Sequence, residues 1–112
     1  SMGINEILPG PYEILDLADG ASVEMRVYGW KVGKMMITPK GASVQKEIDA
    51  LRVIIDPAQK KIGPAYWDVT SMLLRQQLLE MLKMPSTTGY LFKITKHGVA
   101  PAARFEVQMR KA

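Results

Sequence analysis

Ser22-Val23-Glu24-Met25-Arg26-Val27-Tyr28-Gly29-Trp30-Lys31-Val32-Gly33-Lys34-Met35-Met36-Ile37 is the stretch that decides the fold class. Val23, Met25 and Val27 alternate with Glu24, Arg26 and Tyr28. A period of two is the pattern of a strand with one buried face. Gly29 and Gly33 interrupt the alternation, while Val32, Met35, Met36 and Ile37 continue the apolar run. Glycine inside a strand pattern marks a bulge or a sharp bend. A long strand bent at such points is one way to wrap a small barrel.

Upstream, Pro9-Gly10-Pro11 punctuates residues 1–11, which read as an extended lead-in. Ser1-Met2-Gly3 places a methionine at position 2, so Ser1 reads as a tag remnant. Tyr12 to Leu17 is expected to form a short strand, closed by the turn signal Asp19-Gly20. Downstream, Thr38-Pro39-Lys40-Gly41 ends the long stretch. Ile48 to Ile55 is the third expected strand, with Leu51, Val53 and Ile55 on one face and Ala50, Arg52 and Ile54 on the other. Residues 57–66 contain Lys60, Lys61, Gly63 and Pro64 and read as a loop.

Helical periodicity appears once. Leu74, Leu78, Met81 and Leu82 recur at i, i+4, i+7 and i+8, an apolar stripe on a helix predicted over Val69 to Lys83. Asp68 is the expected N-cap, Tyr66-Trp67 a hydrophobic staple ahead of it, and Pro85 the stop. Two alternating strands follow, Tyr90 to Lys96 and Arg104 to Arg110, joined by residues 97–103. The order is strand, strand, strand, helix, strand, strand. One mainly β domain with one helix is expected, in the order of an OB-like five-stranded barrel. An α+β sheet with one helix on a face has the same order.

Composition narrows the chemistry. Of 112 residues, 47% are hydrophobic and 23% charged, which fits a folded chain rather than a disordered one or a coiled-coil rod. No cysteine is present, which excludes disulfides, thiolate metal sites and cysteine nucleophiles. His97 is the only histidine, so a multi-histidine metal site within one chain is excluded. Carboxylate pairs such as Asp16 with Asp19, or Glu47 with Asp49, have spacings common by chance. No catalysis, metal or cofactor is expected. No signal peptide or membrane-spanning run is visible, and cytoplasmic residence is the expectation.

Charge is segregated along the chain. Residues 1–24 carry five acids and no Lys or Arg, whereas residues 83–112 carry six Lys/Arg against Glu106 alone. A basic half raises the expectation of a polyanionic partner. If the second stretch keeps its phase, Arg26, Tyr28 and Trp30 form an outward row, continued by Lys31 and Lys34. Exposed aromatics beside cations suit base stacking on single-stranded nucleic acid. If Gly29 resets the phase, Trp30 belongs to the core. Lys93, Lys96, His97, Arg104 and Arg110 fall on or beside the outward face of the last hairpin, placed for phosphates. The eight methionines serve either as core filler or as an adaptable surface.

Phe92-Lys93-Ile94-Thr95-Lys96-His97-Gly98, with Arg104-Phe105-Glu106-Val107, resembles the last hairpin of phage-type single-stranded-DNA-binding OB-fold proteins. In these, a basic strand ends at a glycine and an Arg-aromatic pair opens the final strand. The resemblance covers about the last 20 residues and implies single-stranded nucleic acid, DNA or RNA, as the partner. An Ala-Pro-Ala-Ala loop replaces the usual polar one, and no acidic tail follows. The candidate interface is therefore Arg26, Tyr28, Trp30, Lys31, Lys34, Lys93, Lys96 and Arg104. The alternative is a protein-interaction or homo-oligomerisation domain using a strand edge or a Met-rich face. The two separate on whether Arg26, Tyr28 and the hairpin cations share one face.

Overall fold

The computed structural model describes residues 2–84 and 86–111. Ser1, read as a tag remnant, and Pro85, read as the helix stop, lie outside them. The elements are α1 (Ile4–Ile7), β1 (Ser22–Ile37), β2 (Lys46–Ile55), a 3-10 turn (Pro57–Gln59), β3 (Tyr66–Val69), α2 (Met72–Leu82), β4 (Leu91–His97) and β5 (Arg104–Arg110). Five antiparallel strands form one sheet in the order β3-β2-β1-β4-β5. No helix among the described residues is long and apolar enough to cross a membrane.

β1 belongs to both halves of the sheet. Its residues 22–26 pair with β4, and Val27 to Ile37 pair with β2. The register slips between Val27 and Gly29, which leaves Tyr28 as the extra residue of a bulge. The sharp bend expected near Gly29 is there, and it is where the strand changes partner.

The sheet does not close into the expected barrel. Its edges, β3 and β5, are not bonded to each other. Each already has other partners. The Asp68 amide donates to the Glu13 carbonyl at 2.7 Å, and the Leu15 amide donates to the Asp68 carbonyl at 2.9 Å, so residues 13–15 occupy the free edge of β3. On β5, the Phe105 carbonyl accepts from Gln77 Nε2 of α2 at 3.1 Å. The free edge of β3 is thus taken by residues 13–15, which stand where a ladder with β5 would form.

The five strands are also not quite the expected five. Residues 12–17 make a single parallel bridge, Ile14 to Asp68, rather than a strand of their own. Tyr66, Trp67 and Asp68 are part of β3, neither a staple nor a cap. α2 starts three residues later than expected, where the Ser71 hydroxyl accepts from the Leu74 amide at 3.5 Å. Residues 4–7 turn once as a helix instead of running extended, and they cross β1 at Gly33. A Cβ on Gly33 would lie 2.8 Å from the Ile4 Cα, so only glycine admits this crossing.

Leu74, Leu78 and Leu82 of α2 are buried against Met25, Val27, Leu51, Val53, Ile55, Val69, Phe92 and Ile94. Phe105, Val107 and Met109 alternate inward as expected but are only half-buried, because β5 is an edge strand. A second cluster of Ile4, Met35 and Ala50 lies beneath α1. The methionines divide accordingly: Met25 and Met35 are core, whereas Met2, Met36, Met72 and Met84 are exposed.

Arg52 and Asp68 stand opposite each other on β2 and β3, on the face away from the main core. Both side chains have no solvent exposure. Arg52 donates from Nε and Nη2 to the two Asp68 oxygens at 2.6 and 2.9 Å, the bidentate fork that guanidinium geometry favours. It also donates to the carbonyls of Leu8 and Pro11, and the Glu13 amide donates to Asp68 at 2.8 Å. The Tyr66 ring stacks 4.1 Å from the guanidinium, and burial raises the pKa of the Tyr66 phenol. Lys60 closes the cluster with an ion pair to Glu13 at 2.8 Å and a place over the Trp67 ring at 3.9 Å. Removing one partner of a buried pair strands the other charge. Asp68→Ala is expected to lower the free energy of unfolding by about 3–5 kcal/mol, and Arg52→Met with Asp68→Leu to restore a large part of it. Urea denaturation of the two variants beside the parent checks this.

Candidate nucleic-acid interface

The strand registers sort the eight candidate residues. Across β1, β4 and β5, Glu24 faces Lys93 and Lys93 faces Gln108; Arg26 faces Leu91 and Leu91 faces Arg110; His97 faces Arg104. Residues directly opposite in a ladder point to the same side. Arg26, Lys93 and Arg104 therefore share the outward face, together with Arg110. Glu24 and Glu106 stand among them, and Glu106 approaches His97 at 3.5 Å. The face is a mixed ladder with an excess of cations.

Arg26 is half-buried and donates from Nη1 to the Gly89 carbonyl at 2.9 Å. Its backbone is fixed as well: the amide donates to Gln59 Oε1, and the carbonyl accepts from the Asp56 amide. The same glycine meets Tyr28, whose ring edge lies 3.8 Å from where a Gly89 Cβ would be. Gly89 has a φ of 82°, a conformation that suits glycine. One tight turn thus holds the Arg26 guanidinium near the Tyr28 ring. The bulge leaves Tyr28 49% exposed.

Trp30 does not continue that row. The bulge resets the phase, Trp30 pairs with Val53, and its ring packs against the main core. With Tyr28, Thr87, Thr88 and Leu82 it lines a cleft of about 280 Å³. Nothing in Ser86-Thr87-Thr88-Gly89 as a sequence points to those threonines.

The remaining lysines disperse. Lys31 is exposed, but on the row of Arg52, on the other half of β1. Lys34 is tied to Asp49, whose hydrogen bond raises the lysine pKa, while the lysine's hydrogen bond lowers that of Asp49. Both stay ionised at neutral pH and pair at the surface, on the part of β1 that runs beside β2 and away from the hairpin cations. Lys96 faces Phe105 in the inward row and is half-buried, not on the outward face where it was expected. The alternation on β4 starts at Leu91, so Lys93 faces outward, and three steps further Lys96 faces inward.

Among the described residues there is no group of three or more side chains suited to hold a metal ion. Comparison with protein-family models, curated proteins and solved structures finds no match to this chain. Tyr28 and Trp30 differ in environment and so in what their removal does. Trp30→Ala is expected to destabilise the protein by about 2 kcal/mol through lost apolar burial. Tyr28→Ala should stay within about 0.5 kcal/mol of the parent. Paired denaturant midpoints check this.

Proposed function

We propose that this chain is a non-catalytic module for single-stranded nucleic acid, held on the outward face of the β1–β4–β5 half. The observation that carries the reading is the register that puts Arg26, Lys93, Arg104 and Arg110 on that face, with the exposed Tyr28 ring beside Arg26. Cations spaced along strands suit a phosphate backbone, and an aromatic face suits a base of any sequence.

The same proposal takes the fold as an OB-type barrel opened along one seam. Three features support it: the strand order, a first strand bent to serve both halves, and a helix between β3 and β4. OB-type domains commonly bind ligands on the face of strands two and three. Here residues 2–15 cover that face, so a strand of nucleic acid is directed to the other half.

Four phosphate contacts on a single strand correspond to a salt slope of about −3 in log–log form. Lys93→Ala is expected to flatten that slope by about 0.7, and Tyr28→Ala to weaken binding by about 1–3 kcal/mol at every salt concentration. Lys61→Ala, on the exposed 61–63 stretch, should change neither. Fluorescence anisotropy with a labelled oligonucleotide across a salt series tests all three. Absence of binding at low salt, or an equal loss from Lys61→Ala, would overturn the reading and favour a protein-interaction domain.

A further inference from the structure

The unpaired seam between β3 and β5 is not filled. A cleft of about 690 Å³ opens there, between residues 14–17, the start of α2 and the inward side of β4 and β5. Its walls are mostly apolar: Leu15, Leu17, Val69, Leu74 and Phe105 all contribute. A concave apolar site of 300–1,000 Å³ with a few polar groups is the usual form of a small-molecule site.

Lys96 is the one cation in the lining. It is half-buried, and among the described residues its ammonium has no ion pair within 4.0 Å. A cation without a counter-charge at the mouth of an apolar cleft offers a place for an anionic head. Ser71, the N-cap of α2, lines the same cleft, so the positive end of that eleven-residue helix points the same way. Asp16 is the one acid in the lining, and it is solvent-exposed, where water screens it.

We infer that this cleft binds a medium-chain aliphatic carboxylate, its chain along Leu15, Val69, Leu74 and Phe105 and its head at Lys96. Apolar walls reward the chain in proportion to its buried area. The lone ammonium selects an anionic head over a neutral or cationic one. The site lies on the inward side of β4, opposite the face proposed for nucleic acid, so the two readings stand or fall separately.

Decanoate, decanol and decyltrimethylammonium are the probes, each titrated below its micelle concentration and followed by amide NMR shifts. Decanoate should saturate shifts at Leu15, Thr70 and Phe105 and bind about tenfold tighter than decanol, the ratio that one charge-assisted hydrogen bond supplies. Decyltrimethylammonium should bind more weakly still. Lys96→Met should bring decanoate and decanol within about threefold of each other. Ile14→Glu, at an exposed position in the lining, should weaken decanoate more than decanol without disturbing the fold. No saturable shifts, equal affinity for all three probes, or a decanoate preference that survives Lys96→Met would overturn the inference.

Discussion

The bidentate pair of Arg52 with Asp68 organises more of this molecule than any other contact. Two side chains without solvent exposure, on adjacent strands, would be a liability if either lone pair or N–H were left unmet. The chain meets them with its own N-terminal backbone. The carbonyls of Leu8 and Pro11 accept from two further guanidinium N–H groups, and the Glu13 amide donates to a carboxylate oxygen. A polar cluster on β2 and β3 thereby holds residues 8–13, which form no strand or helix of their own.

The path of that segment shapes both faces of the sheet. It begins beside β1, where the Lys34 amide donates to the Met2 carbonyl at 2.9 Å, and crosses at Gly33. It then runs over Arg52 and Tyr66 and ends along the edge of β3. It covers the outer face of the β1–β2–β3 half and ends the ladder at β3. The open seam, the cleft beside Leu74 and the exposure of Lys93, Arg104 and Arg110 on β4 and β5 all follow from this placement.

Much of the fold was legible in the sequence because periodicity reports burial. The alternation in Ser22–Val27, the split of Ile48–Ile55 into two faces and the stripe through Leu74, Leu78 and Leu82 all describe the core correctly. Tyr66-Trp67-Asp68-Val69 was misread because four residues are too few for a period, and an acid before an apolar run imitates a helix cap. Ser71, another good cap three residues later, was the competing signal. Of the site, Arg26, Lys93 and Arg104 lie on the face where alternation places them, and Tyr28 is exposed as the extra residue of the bulge. Trp30 is not on that face, because a one-residue bulge flips every later side chain. Lys34 and Arg52 found partners far along the chain, which no local pattern announces.

The central claim is that the Arg52–Asp68 cluster makes residues 8–15 an integral part of the folded sheet rather than a loose strap. Native-state amide hydrogen exchange tests it most directly, because it reports the opening free energy of each amide. The amides of Glu13 and Leu15, bonded to Asp68, should exchange with the free energy and denaturant dependence of Val53 and Phe92 in the core. Exchange at Glu13 and Leu15 through a local opening, with little denaturant dependence while Val53 stays protected, would contradict the account.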